Sequence, residues 1–170
     1  MGLRARLLSV FALSLLSLGT SASKSLAQSV AYHTHGTGSY SPDTGDYGGD
    51  GVGTHLGKHT FAGVVATSPT ANPLVYDFSL TGTQETVAAN GDKLFFSGSG
   101  QVELIPLDAT FTTFVAVWEG DFVVVGGTGR FAGAKPADEP LRVVAINDPF
   151  RLSDPVWSFS WELTGRIVLR

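Results

Sequence analysis

The feature that most constrains the fold is a strict alternation near the end of the chain. Between Trp157 and Leu169 the bulky apolar residues fall on every second position, Gly165 fills the one gap, and Val168 is the one apolar exception on the other face. These residues are Trp157, Phe159, Trp161, Leu163, Ile167 and Leu169. A helix would distribute such side chains around its axis, whereas a strand places them on one face. The pattern predicts one long, half-buried β-strand.

The same period of two recurs upstream, and no segment shows a sustained helical period. Leu74–Thr81 alternates apolar and polar residues, and Asn90-Gly91 marks a hairpin, because both central residues of a type I′ turn require positive φ. Thr110–Val125 is apolar at both parities, and we interpret Glu119–Asp121 as a turn that divides it into two strands. The outer face of these strands would then have to meet a second layer or another subunit.

About eight to nine strands, joined mostly by short turns, predict an antiparallel barrel or sandwich. A long apolar final strand left as an open edge would promote aggregation, so closure of the sheet is favoured. We therefore predict an all-β fold, a single antiparallel up-and-down β-barrel of about eight strands. The composition agrees, since the chain has 21 glycines and only 15% charged residues.

The first part of the chain has the features of a signal peptide. Arg4 and Arg6 precede an apolar run from Leu7 to Leu18, and Ser25-Leu26-Ala27 supplies small residues for cleavage before Gln28. The run is shorter than the ~20 residues of a membrane span, which favours a cleaved signal over a membrane anchor. A secreted or periplasmic bacterial protein is predicted, and because it has no cysteine it would rely on its core alone.

Three segments follow from these patterns: a signal peptide (residues 1–27), a flexible Gly/Asp-rich segment (residues 28–53) and a β-barrel domain (residues 54–170). The second segment is predicted to be flexible because it is rich in Gly, Ser, Thr and Asp and lacks an apolar period from Gly36 onward. Cleavage removes three of the 11 basic residues and leaves eight against 15 acidic ones, a net charge of −7. This balance argues against nucleic acid or an anionic membrane as a partner of the mature protein.

Three short motifs carry a resemblance to a known family. They are His55-Leu56-Gly57, Asn90-Gly91-Asp92 and the stretch from Gly126 to Ala134, GGTGRFAGA. Together they resemble the bacterial secreted relatives of the allene oxide cyclase and dirigent barrels. The resemblance covers Thr54–Arg170 and implies an eight-stranded, calycin-like antiparallel barrel that assembles as a homodimer or homotrimer. Lys135-Pro136 stands where the family continues with glycine, and no catalytic residue of the family can be matched to this chain.

The glycines of Gly126–Ala134 could also suggest a dinucleotide-binding loop, but no helix follows to meet a pyrophosphate. We interpret the stretch as a turn in which Phe131 plugs one end of the barrel. Arg130 is expected either to pair with a buried carboxylate, such as Asp77 or Glu162, or to lie in solvent.

The predicted partner is a small apolar molecule, bound without a cofactor at the mouth of the barrel. The candidate binding residues are Arg130, Phe114, Trp118, Trp157 and Trp161. The alternative for the four aromatic residues is an ordinary place in the core.

Two histidine pairs raise the question of a metal. His33 and His35 would share one face of a strand about 6.6 Å apart, within reach of one ion. His55 and His59 would be about 13 Å apart, too far for one ion unless the chain bends. Carboxylates that could complete a site with the first pair are Asp43, Asp46 and Asp50. The alternative is a solvated N-terminal loop that holds no metal.

Three functions remain open at the level of sequence. The barrel could bind a small apolar or aromatic molecule in its lumen, act as an isomerase or cyclase of the allene oxide cyclase type, or serve as a structural module with a filled core. A thiol nucleophile is excluded because the chain has no cysteine. Asp77 and Glu162 lie on the polar parity of their strands, so they are expected to face solvent. The state of the lumen therefore separates the three hypotheses.

Overall fold

The computed structural model describes residues 28–170, so the predicted signal peptide lies outside the described part of the chain. This part contains ten strands and one turn of 3-10 helix at Gly129–Phe131. The strands are β1 (Gln28–Tyr40), β2 (Asp46–Gly53), β3 (Gly57–Pro69), β4 (Val75–Leu80), β5 (Gln84–Ala88), β6 (Lys93–Pro106), β7 (Phe114–Gly127), β8 (Lys135–Pro136), β9 (Leu141–Asn147) and β10 (Trp157–Leu169). Between residues 28 and 170, no helix has the length and apolar character needed to cross a membrane.

The strands form one antiparallel sheet that closes on itself. Its order is β1-β2-β3-β4-β6-β7-β9-β10, and β10 pairs with β1 over the full length of both strands. β4 and β5 occupy one position between β3 and β6, one beyond the other along the barrel, while β8 adds a short pairing to β10. The result is an up-and-down barrel with eight strand positions, which confirms the predicted fold class.

The prediction of a flexible segment over residues 28–53 is wrong. These residues form β1 and β2, which occupy two of the eight strand positions of the barrel. In the register, Gly36 lies between Trp161 of β10 and Gly51 of β2, and Gly38 lies between Phe159 and Gly49. The apolar period is missing because glycine occupies the inward positions and the rings of neighbouring strands cover them.

Contact geometry explains why these inward positions are glycine. A Cβ added at Gly38 would lie 2.6 Å from Cζ of Phe159, and one added at Gly51 would lie 2.8 Å from Cζ2 of Trp161. Each ring therefore occupies the space that a side chain on β1 or β2 would need. β1 and β2 carry few large inward side chains of their own, and rings from neighbouring strands fill that space instead.

β7 is one continuous strand of 14 residues, so the predicted turn at Glu119–Asp121 is also wrong. Gly120 pairs with Gly100 of β6 in the middle of the ladder. A Cβ at Gly120 would lie 2.9 Å from Cζ of Phe78, so this glycine makes room for a ring instead of reversing the chain. The strand is apolar on both faces as expected, and Val125 on its outer face is 51% exposed.

The Asn90-Gly91 hairpin is confirmed, since it joins β5 to β6, but its turn type is not the one predicted. Gly91 has φ of 86°, while Asn90 is not among the described non-glycine residues with positive φ. Asn90 instead accepts a hydrogen bond from the backbone N–H of Asp92. A side-chain hydrogen bond of this kind stabilises the turn without requiring two residues of positive φ.

The tightest packing lies toward the end of the barrel that carries the loop between β7 and β9. Phe131 is 1% exposed there, as expected for a residue that plugs this end. The largest fully buried side chains are Tyr32, Phe96, Phe131, Leu94, Leu141, Ile167, Val124 and Thr34. The opposite end, where the loops after β1, β3, β6 and β9 lie, is packed less completely.

Candidate functional site

A cavity of about 90 Å³ lies in the lumen. Its walls are aromatic and aliphatic, with only tyrosine and tryptophan polar atoms and the Gln84 amide as exceptions, and they include no Asp, Glu, Lys, Arg or His. The aromatic residues that line it include Tyr40, Tyr47, Phe61, Phe78, Trp118 and Trp161. None of the fully buried side chains near the plugged end lines this cavity.

Edge-to-face contacts fix the rings around the cavity. The centroids of Phe61 and Trp161 are 4.9 Å apart at an angle of 71°, and those of Phe78 and Trp118 are 5.4 Å apart at 61°. Such pairs contribute about 0.5–1.5 kcal/mol beyond the area that they bury. The cavity walls are therefore held in place before any molecule enters.

One side of the cavity is polar but uncharged. The Tyr47 hydroxyl donates to Oε1 of Gln84 at 2.9 Å, and Nε2 of Gln84 donates to Oγ1 of Thr86 at 3.1 Å. Burial raises the pKa of the Tyr47 phenol well above its usual value, so the hydroxyl stays protonated. The amide of Gln84 has a second N–H hydrogen, for which residues 28–170 offer no assigned acceptor.

The two tryptophans that line the cavity differ in their hydrogen bonding. Nε1 of Trp118 donates to Oδ1 of Asn147 at 2.8 Å. Nε1 of Trp161 is shielded from water and finds no acceptor among the described residues. Leaving a buried donor unpaired costs about 1–3 kcal/mol. The Trp161 N–H is therefore a buried donor that the described part of the protein does not satisfy.

A buried histidine supports Trp161 from behind. His59 is 4% exposed, and its ring packs edge-on against Trp161 with centroids 6.0 Å apart. Nδ1 donates to the carbonyl of Gly57 at 3.0 Å, so in the neutral ring Nε2 accepts from the Thr34 hydroxyl at 3.1 Å. Burial lowers the pKa of His59, which favours this neutral form.

The four predicted aromatic binding residues separate into two groups. Trp118 and Trp161 line the cavity. Phe114 and Trp157 do not, and instead they pack against Phe150, with the Trp157 and Phe150 rings stacked at 3.9 Å. These two belong to an aromatic cluster beside the cavity, which matches the alternative of an ordinary place in the core.

Arg130 lies by the plugged end, away from the cavity. Its Nε is 3.6 Å from Oδ2 of Asp92, and its guanidinium lies 4.9 Å from the centroid of Phe131. The suggested partners were wrong, because exposed Asp77 accepts from Gln101 and exposed Glu162 pairs with His33. Arg130 is half exposed and lies in the same turn as the Phe131 plug.

The histidine pair that could hold a metal lies on the outside of the barrel. His33 and His35 share one face of β1, with ring centroids 5.4 Å apart, and Nε2 of His33 is 2.9 Å from Oε1 of Glu162. Across residues 28–170, no group of three or more His, Cys, Asp or Glu residues is arranged to hold a metal ion. The metal hypothesis therefore gains no support from the structure.

Sequence reasoning missed Tyr47, Gln84 and His59. Tyr47 lies in the segment predicted to be flexible, and nothing in its neighbourhood indicated a buried ring. Gln84 faces inward at the start of a short strand, and the polar residues around it give no sign of which face is inside. His59 shares its parity with Phe61 and Val65, and that shared parity was the available signal.

Comparisons of the chain with protein-family models, with curated proteins and with solved structures found no match. The resemblance to the allene oxide cyclase and dirigent barrels therefore stays a prediction from the motifs.

Proposed function

We propose that this barrel binds a small apolar or aromatic molecule in its lumen. The observation that carries the proposal is the cavity of about 90 Å³ with aromatic walls and no charged side chain. Ligand sites are typically concave and mostly apolar, with a few polar groups that fix orientation. The Tyr47–Gln84 pair supplies such groups here.

The volume limits what can be enclosed. An engineered apolar cavity of roughly 150 Å³ holds benzene, and sites for drug-sized molecules occupy about 300–1,000 Å³. A space of about 90 Å³ is smaller than both, so it suits a short branched chain or one small ring that is not wholly enclosed. A larger ligand would insert one such group and extend beyond the cavity.

The same geometry favours binding over catalysis. An isomerase or cyclase needs a group that exchanges protons or stabilises charge at the reacting atoms. The polar groups of the cavity wall are a phenol held protonated, an amide and indoles, and none of them is charged. Arg142, the other arginine near which a buried carboxylate would have indicated an enzyme, pairs with Glu119 at 2.6 Å on the exposed outer surface. A purely structural module is disfavoured because its lumen would be filled.

The sequence also bears on where the protein is located and how many subunits it assembles. Residues 1–27 support export to the periplasm or beyond the cell, and the motif resemblance supports assembly as a homodimer or homotrimer. Native mass spectrometry of protein purified from its own host would report a retained small molecule and the subunit count in one measurement.

A direct test fills the cavity from its wall. Ala145 lines the cavity, so Ala145→Leu should abolish binding of single-ring compounds such as toluene, measured by calorimetry or ligand-observed NMR. Ala66→Leu, at an exposed position on β3, is the matched control and should bind as the wild type does. Circular dichroism checks that both variants fold, and Val143→Leu is a milder filling change if Ala145→Leu does not. Unchanged binding in a folded filling variant, or no binding by the wild type, would overturn the proposal.

A further inference from the structure

A second concave site lies at the end of the barrel opposite the Phe131 plug. It is a groove between the loop after β6 and the loop after β9, and the exposed residues that line it are Phe111, Thr112, Arg151, Leu152 and Ser153. None of them lines the lumen cavity. We propose that this groove binds a small organic anion, in which a carboxylate is attached to one ring, at a site separate from the lumen.

The first observation is the backbone conformation of Phe111. Its φ of 53° lies in the left-handed region, which a bulky residue rarely occupies because of steric strain. The side chain is 57% exposed, so the fold does not offset this strain by burying the ring. Strained residues of this kind are concentrated at binding sites, where the surrounding structure holds them in place. The exposed ring in the groove therefore points to a ligand that covers it.

The Asp108 carboxylate fixes the loop that carries this ring. It accepts hydrogen bonds from the hydroxyls of Thr110 and Thr112, at 2.6 and 2.9 Å, and from the backbone N–H groups of Thr110, Thr112 and Thr113. The N–H of Phe111 donates to the Asp108 carbonyl at 3.3 Å. The loop itself therefore satisfies the charge of Asp108. A backbone that is already ordered loses little freedom when a ligand binds.

The second observation is the charge of Arg151 on the facing loop. This residue is exposed and forms no ion pair with any residue between positions 28 and 170. Asp154, in the same turn, accepts from the backbone N–H of Arg151 at 2.7 Å, and its own N–H donates to the Arg151 carbonyl at 2.9 Å. The carboxylate of Asp154 thus closes the turn without pairing with the guanidinium. A guanidinium with no partner matches the two oxygen atoms of a carboxylate.

The ligand class follows from the two kinds of group that line the groove. Phe111 and Leu152 offer apolar surface, which favours a ring over a purely polar ion. Arg151 is the one charged side chain of the lining, so it favours an anion over a neutral molecule of the same shape. Because the contacts are exposed to solvent, we expect a dissociation constant of about 1–10 mM.

The test compares benzoate, which is anionic at neutral pH, with benzamide, which has a similar shape and no charge. Each is titrated into isotope-labelled protein at pH 7 and constant ionic strength, and amide chemical shifts are followed by NMR. Benzoate should shift signals of residues 107–113 and 148–156. Benzamide should bind at the same place at least about threefold more weakly, because it lacks the charge that Arg151 attracts.

Three variants separate the two contributions. Arg151→Gln should weaken benzoate at least about threefold and leave benzamide unchanged, whereas Phe111→Ala should weaken both probes alike. Lys135→Gln is the matched control, because it removes one positive charge from an exposed residue of β8, which is not part of the groove. It should bind benzoate as the wild type does.

The outcomes distinguish this site from the lumen. Ala145→Leu, which fills the lumen cavity, should leave benzoate binding in the groove unchanged. The inference is overturned if benzoate shifts no signal of the two loops, if Arg151→Gln binds it as the wild type does, or if Lys135→Gln weakens it as much. It also fails if Ala145→Leu abolishes the binding, since benzoate would then occupy the lumen. The map of shifts on the wild type decides even where a variant does not fold.

Discussion

The packing of rings over glycines makes a sharp prediction at Gly98. This residue lies on β6 and pairs directly with Phe122 on β7, whose ring covers it. A Cβ added at Gly98 would lie 2.6 Å from Cε1 and 2.8 Å from Cγ of Phe122. These ring atoms lie close to the backbone of Phe122 and not at the flexible end of a side chain. Gly98→Ala must therefore displace the Phe122 ring, and this side chain is only 6% exposed.

The expected cost follows from two opposing effects. Overpacking of a core site costs about 1–3 kcal/mol. Replacing glycine by alanine restricts the unfolded chain and returns about 0.4–1 kcal/mol. The net loss in the free energy of unfolding should be about 1–2 kcal/mol, and for a chain of this size that lowers Tm by about 3–8 °C.

A double-mutant cycle tests the cause of this loss. Phe122→Leu alone should destabilise by about 1 kcal/mol or more, because it leaves part of the ring's space empty. Combined with Gly98→Ala, the new methyl group enters that space, so the double variant should be more stable than the sum of the single changes predicts, by about 1 kcal/mol. Urea unfolding followed by tryptophan fluorescence measures all four proteins. Additive effects, or a Gly98→Ala variant as stable as the wild type, would refute the account of ring-over-glycine packing.

Three further predictions concern pH, a loop and the plug. Burial lowers the pKa of His59 below its ordinary 6.5, so the unfolded chain takes up a proton at a higher pH than the folded chain does. The contribution of neutral His59 to stability is therefore complete above about pH 6.5 and is lost below it. His59→Gln should flatten the plot of Tm against pH from 7 to 5, while exposed His35→Gln should not. The Asp108 carboxylate accepts hydrogen bonds from Thr side chains and backbone amides of its own loop, and these hold its pKa far below the usual value. Asp108→Ala should therefore accelerate amide exchange in residues 108–113. The wild-type loop should stay protected at about pH 4, where ordinary aspartates protonate, and rapid exchange there would contradict the role given to the Asp108 carboxylate. Phe131→Ala should lower the free energy of unfolding by about 3–5 kcal/mol, measured with urea, because it empties a fully buried site. Phe111→Ala, at a residue 57% exposed, should change this free energy by less than about 0.5 kcal/mol. Similar losses in the two variants would show that Phe131 does not act as a plug.

The sequence predicted the strands whose own alternation of apolar and polar residues shows which face is buried. β10 spans Trp157–Leu169, and its odd-numbered side chains face the lumen as the alternation required. The closure of the sheet also followed, because an apolar strand of this length needs partners on both edges. β1 and β9 are those partners.

The sequence could not predict β1 and β2, because their burial depends on side chains that are distant in the chain. Gly38 and Gly51 face the lumen only by leaving space for Phe159 and Trp161, more than a hundred residues away. A pattern that counts apolar side chains has nothing to count where the inward residue is glycine. Polar residues on the outer face then give the segment the composition of a disordered region.

For the binding residues, alternation identified the face of each strand but not the height along the barrel. Trp157 and Trp161 point inward from the same strand, yet only Trp161 lines the cavity. Trp157 pairs with Tyr40 at the end of β1 and stacks on Phe150, whereas Trp161 pairs with Gly36 nearer the middle. Height is set by the register between strands, and the register depends on all eight positions of the closed sheet together.

The cavity in the lumen is more informative because the rest of the interior is well packed. Ala145 is one of the wall positions where a larger residue would fill the space. The same barrel packs Leu94, Phe96 and Ile167 with no exposed surface, so the fold does not prevent tight packing. A cavity kept in an otherwise well-packed lumen is what the proposal of a small apolar or aromatic ligand explains and what a filled structural module does not.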